Sequence, residues 1–248
     1  MKLRFTGSTS GGGGCPSVYE TDRDTVVVQG SRIDPADPIR NDLRDLAEDE
    51  DVVEVPRQLL ERFAPTRPTP APSDLVTGAD FEALFRDFAH TARRLETRTH
   101  YDIENERESF DQFLDGSDVD LSWFTPWLDT MREQTNAGKT VARVRVVPPK
   151  LTDYLRYELF LTEHNTRAGE DIRYLDRATA NNLALPDRDF WLFDSHTLAI
   201  LHFTDAGQML GAEIVTDPAV VVEHARWLDA AFHHARRYED FVKEHPPR

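Results

Sequence analysis

One run constrains the fold more than any other: a strand, a helix and a second strand patterned within residues 140–176. "TVARVRVVP" (140–148) alternates with period two, placing Ala142, Val144 and Val146 on one face and Arg143 and Arg145 on the other. "KLTDYLRYELFLTEHNTRAG" (150–169) changes to helical spacing and ends at Gly169, and "EDIRYLD" (170–176) returns to a strand. This order predicts a right-handed crossover between parallel neighbours. Downstream, "DFWLFD", "TLAILHF" and "LGAEIV" are separated only by "SH" and "TDAGQM", which predicts an antiparallel meander. "DFWLFD" is apolar between its aspartates, as a central strand covered on both faces would be. "TDPAVVVEHARWLDAAFHHARRYEDFVKEH" (216–245) predicts one long closing helix, capped by Thr216 or Asp217 with Pro218 in its first turn. The expected architecture is a mixed sheet of about five strands packed with helices, an α/β (α+β) domain.

Three helices are expected before this sheet. "DFEALFRDFAHTARRLET" (80–97) carries Phe81, Leu84, Phe85, Phe88, Ala92 and Leu95 at helical spacing, with Asp80 as cap. "ENERESFDQFLDG" (104–116) turns Phe110, Phe113 and Leu114 inward. "SWFTPWLDTMREQTNAG" (122–138) makes a stripe of Trp123, Trp127, Leu128 and Met131, with Gly138 suited to a left-handed cap. Helical spacing assigns these aromatic stripes to the core.

The proline-rich "APTRPTPAPS" (64–73) reads as a semi-rigid spacer. It divides a small β-rich domain, residues 1–63, from the mixed α/β domain, residues 74–248. In the first, "KLRFTG" places Leu3 and Phe5 on one face. "SVYET" and "TVVVQGSRI" are strands around a turn at "DRD". "DVVEVPRQLLERF" gives a short strand and a helical turn from Pro56, and the acidic "DPADPIRNDLRDLAEDED" is a loop or a loose helix. "TSGGGG" lacks the lysine and the strand-to-helix setting of a phosphate loop, so it reads as a turn.

With 29 basic and 45 acidic residues the chain carries a formal charge of -16. Such a field opposes nucleic acid and anionic membranes, and it either suits a basic protein partner or serves only to keep the chain in solution. Cys15, the one cysteine, can form neither an internal disulfide nor a cysteine-rich zinc site, and no neighbouring base activates it. "MKLRFTGSTSGGGG" contains no apolar run, so no signal peptide is expected. No stretch approaches the roughly 20 apolar residues of a membrane span. The expected location is the cytoplasm.

No nucleophile elbow, Walker lysine, dinucleotide fingerprint or zinc-spaced histidine pair is present, and no catalytic residue, metal or cofactor is assigned. His233 and His234 are adjacent on a helix and diverge by about 100°. The candidate ligand-binding residues are Arg143, Arg145, Tyr154, Arg156, Glu158, Glu170 and Arg173. Arginines gathered near the carboxyl ends of parallel strands can fork onto a phosphate or carboxylate. The competing reading pairs Arg143, Arg145 and Arg173 with Glu158, Glu170 and Asp194 in an ion-pair network that fixes geometry.

At "LFRDFAHTARRLETRTHY", "RVRVVPPKLTDYLRYEL", "NTRAGEDIRYL" and "LPDRDFWLFD" the chain resembles a family of uncharacterised actinobacterial proteins over about residues 76–240. Its members are often encoded beside helix-turn-helix regulators of the Xre type, which implies a regulatory or accessory role. "MKLRF", "GGGGCPSVYETD" and "VVVQG" resemble a small companion protein of the same neighbourhoods. The strand order from 140 to 217 is more distantly similar to phospholipase D-like sensor domains, without the histidine-and-lysine motif of the active enzymes. These likenesses imply a non-catalytic module that binds a protein partner, a helix-turn-helix regulator, and senses a small anion. The alternatives are an enzyme on a phosphorylated or carboxylated metabolite, with Glu158, Glu170 or Tyr154 as acid or base, and one half of a toxin-antitoxin-like pair.

Overall fold

The computed structural model describes residues 2–9, 16–23, 25–43, 46–47, 50–63 and 74–247. Cys15, the glycine run, part of the "DRD" turn and the proline-rich spacer lie outside the described residues. The chain divides into two compact units, residues 1–69 and 70–248. Among the described residues no helix is long and apolar enough to cross a membrane.

In the first unit β1 (Leu3–Ser8), β2 (Ser17–Thr21) and β3 (Val26–Gln29) form an antiparallel sheet in the order β1-β2-β3. β4 (Ser31–Arg32) pairs with β5 (Val53–Glu54), and a 3-10 turn at Pro38–Asp42 lies between them. Helix α1 (Arg57–Phe63) packs on β1 and β2 and buries Leu59. The core is thin, as its size requires: Leu3 and Phe5 remain exposed.

The second unit is a mixed α/β domain. Its elements are α2 (Gly78–Asp87), β6 (Thr91–Glu96), α3 (Arg107–Asp115), α4 (Thr125–Asn136), β7 (Thr140–Val147), α5 (Asp153–Arg167) and β8 (Asp171–Asp176). Then come α6 (Arg177–Asn182), β9 (Phe190–Phe193), β10 (Thr197–Phe203), β11 (Met209–Val215), α7 (Pro218–His234), β12 (Arg236–Arg237) and α8 (Tyr238–Glu244). A seven-stranded sheet runs β11-β10-β9-β6-β7-β8-β12. β6, β7 and β8 are parallel, and β9, β10 and β11 form the antiparallel meander.

Two elements differ from the sequence expectation. The helix expected over 80–97 stops at Asp87, and residues 91–96 form β6 in the middle of the sheet. Three backbone N–H groups at this break, of Ala89, His90 and Thr91, donate to the Asp194 carboxylate at 2.7, 2.7 and 2.9 Å. Those amides are thereby withheld from a continuing helix, and the chain drops between β7 and β9. Tertiary pairing overrides local spacing here. The long closing helix likewise ends at Ala235. Arg236 and Arg237 then pair with Tyr174 and Arg173 as an edge strand, and α8 stacks Phe241 on Tyr174 at 4.3 Å. The sheet has seven strands rather than five for these reasons. Leu114, expected inward, is half exposed.

Strand parity sorts the two sheet faces. Leu95, Val144, Val146, Phe190, Leu192, Leu198 and Ile200 form a core with Val221, Leu228 and Ala231 of α7. On the opposite face Ala92, Val141, Trp191, Phe193, Ala199 and Leu201 pack with aromatic residues of α2 to α5. Arg94, Glu96, Arg143 and Arg145 share that second face, because Arg94 lies beside Arg143 and Glu96 beside Arg145 in the parallel register.

Candidate functional site

The arginine-bearing face of the sheet opens into a cavity of about 470 Å³. Helix α2 contributes Phe81 and Phe85, the 3-10 turn before α4 contributes Trp123 and Phe124, and α4 contributes Trp127. Trp191 and Leu201 come from the sheet, with Ile103 and Met209 at exposed positions. Polar lining comes from Arg94, Glu96, Arg143, Glu106, Glu158, Asn165, Gln208 and Asp102, the last paired with Arg107. A mostly apolar concavity with a few converging polar groups is the usual form of a small-molecule site.

The polar floor is an interlocked charge network. Glu96, 2% exposed, receives Arg145 Nε at 2.7 Å and Arg94 Nη1 at 3.0 Å, with Arg143 Nη1 at 3.6 Å. Arg145 also reaches Glu158 at 2.5 Å. Arg143 donates Nε to Glu170 at 2.8 Å, and Glu170 accepts further from Trp127 Nε1 at 2.9 Å and Asn165 Nδ2 at 2.6 Å. Arg94 donates to Asp189 at 3.2 Å, and Asp189 also accepts from Tyr101 and from the Thr97 backbone N–H at 2.7 Å. Burial pushes the Glu96 carboxyl up, but the three guanidiniums more than reverse this and bring it down to about 2. The same carboxylates hold Arg94 and Arg145 above the ordinary guanidinium range against burial. Arg143 lies 5.0 Å from the Trp127 ring centroid and 5.5 Å from that of Trp191.

Glu106 is the exception. It is 3% exposed and lines the cavity, and among the described residues its carboxyl has one hydrogen-bond partner, the Tyr154 hydroxyl at 2.6 Å, and no salt bridge. Tyr154 also lies 3.2 Å from Glu158. Burial, then the charge of Glu158, raises the Glu106 carboxyl to about 8, against the weaker pull of Tyr154 and Arg145. It is therefore a neutral acid at neutral pH. Burial and the flanking carboxylates also hold the Tyr154 hydroxyl well above its usual range.

A family model described as a domain of unknown function, DUF6879, matches residues 79–243. The chain belongs to this family. No curated protein matches it. The DUF6879 match spans every residue of the charge network, from Arg94 to Asp189.

The seven sequence-selected residues fall into three groups. Arg143 and Glu158 line the DUF6879 cavity, while Arg145, Tyr154 and Glu170 lie directly behind it, bonded to lining residues. Arg156 sits two residues from Tyr154, off the inward face of α5, and donates to the Pro246 carbonyl at 3.3 Å. Arg173 has the opposite strand parity to Tyr174. It pairs with Asp171 at 2.7 Å and donates to the Phe232 carbonyl on the α7 side. Asp194, considered as an arginine partner, instead holds backbone amides. Sequence reasoning missed Arg94, Glu96, Tyr101 and Glu106; Asp189, which the sequence offers as a turn residue or an arginine acceptor, accepts from Arg94. The alternation of Arg94 and Glu96 around Leu95 was the available signal for the first two.

Proposed function

We propose that this protein is a non-catalytic, cytoplasmic regulatory or accessory protein whose 74–248 unit holds a small organic ligand in the aromatic-walled cavity. The carrying observation is the combination of that cavity with a floor in which every guanidinium is already engaged by carboxylates. Arg94, Arg143 and Arg145 face Glu96, Glu158, Glu170 and Asp189, three positive against four negative groups. A floor in which four carboxylates outnumber three guanidiniums leaves little field for an anion, and its interlocked pairs favour recognition over chemistry. The ligand contacts on this reading are aromatic faces and the Glu106–Tyr154–Glu158 corner.

A protein partner belongs to the same reading. The charge of -16 favours a basic surface, and likeness to actinobacterial proteins encoded beside Xre-type regulators points to a helix-turn-helix protein. The distant phospholipase D-like resemblance agrees with a sensor that has lost catalysis.

The cavity is tested with 2-phenylethanol, an uncharged aromatic probe, by titration calorimetry on the full chain. Saturable binding is expected, and Met209→Trp, at the half-exposed lip, should abolish it without lowering the melting temperature. Absence of saturable heat, or binding indifferent to the lip substitution, would refute the pocket reading.

A further inference from the structure

We infer that the ligand of this cavity is an organic cation, an amine or alkylammonium on an aromatic or alkyl body, whose charge is met by Glu106 beside Glu158. The inference rests on the proposed ligand-binding role and specifies its chemistry.

The charge inventory shows where a cation is missing. Each guanidinium of the floor has at least one carboxylate within 3.2 Å. Counting Glu106, five carboxyl groups face three guanidiniums. Of the carboxyls that line the cavity, Glu106 is the one without a salt bridge among the described residues, and it is almost wholly buried by protein. A positive ligand group there reduces the acidic excess, whereas an anion would add to it. The walls agree in kind. Trp123, Phe124 and Trp127 flank the same cavity, and aromatic faces attract desolvated cations as well as apolar bodies.

Proton linkage follows from the geometry. The titratable and charged groups facing Glu106 are Tyr154, Tyr157 and Glu158 on α5, Arg145 on β7 and Asp102 in the preceding loop. Arg145 is committed to Glu96 and Glu158, so a bound ammonium becomes the nearest free positive charge. Its arrival ionises Glu106, and the carboxyl proton leaves to solvent. The Glu106 carboxyl is held toward its protonated form in the empty site, so amine binding releases a proton to solvent at neutral pH. Amine affinity accordingly rises with pH until the Glu106 carboxyl is ionised in the empty site as well.

The test compares three probes on the full chain by calorimetry: phenethylamine, 2-phenylethanol and 3-phenylpropanoate, each in two buffers of different ionisation heat. Phenethylamine is expected to bind roughly tenfold or more tighter than the anion and to release a proton. Glu106→Gln, which keeps the Tyr154 hydrogen bond, should weaken the amine roughly ten- to a hundredfold, at least tenfold more than it weakens 2-phenylethanol, and remove the proton release. If 2-phenylethanol binds but the amine does not, or if the anion binds tightest, the cation inference falls and the pocket reading stands. If no probe binds, both fall. Equal amine binding by parent and variant also overturns the inference.

Discussion

Glu96 and Glu106 are both buried carboxyls on the cavity wall, and replacing each by glutamine should move stability in opposite directions. The folded protein holds the Glu106 proton up to about pH 8, whereas its reference value is 4.5. Between these values the unfolded chain has lost a proton that the folded chain keeps. The unfolding free energy therefore falls as pH rises across that window, by up to about 1.4 kcal/mol per unit. The full span has a ceiling of about 5 kcal/mol, and water entry into an open cavity reduces it to roughly 2 kcal/mol. Glu106→Gln lacks this titration, so it should be about 2 kcal/mol more stable than the parent at pH 8 and nearly equal to it at pH 5. Glu96→Gln strips a charge from three buried guanidiniums and should cost about 3–5 kcal/mol at either pH. Urea unfolding followed by tryptophan emission measures both, because all four tryptophans lie in the 74–248 unit. The reasoning is refuted if Glu106→Gln loses stability at pH 8 comparably to Glu96→Gln, or if parent and variant share one pH slope between 5 and 8.

Further outcomes can be checked on the same protein. Since the Glu96 carboxyl is depressed to about 2, its contribution is complete above pH 4.5 and is lost as pH falls from there toward 2. Acid titration of the tryptophan signal should show this loss, and Glu96→Gln should remove that component. Asp194→Ala frees three backbone N–H groups where α2 gives way to β6, and should lower stability by about 2 kcal/mol. Asp194→Asn, which retains an acceptor, should cost less, and equal losses in urea unfolding would show that the cap contributes little.

Local chemistry alone determined the crossover. The period-two run at 140–147 and the helical run ending at Gly169 place β7, α5 and β8 with no reference to the rest of the chain. The same parity aligned Arg143 with Arg145, because successive side chains of a strand alternate faces. The meander of β9 to β11 was legible for the same reason, through short turns that leave no room for a crossover. What only the tertiary structure decided is the middle of the sheet. Residues 88–97 carry a helical spacing, yet the slot between β7 and β9 and the carboxylate of Asp194, about a hundred positions away, draw them into β6. That placement brings Glu96 among three arginines and Arg94 to Asp189. Glu106 stands in the polar run "ENERES", where nothing local separates it from its exposed neighbours. Its burial, its lack of a cation and its place on the cavity wall arise from α5 and β7 folding over it, and such long-range electrostatics leaves no periodic trace in a chain.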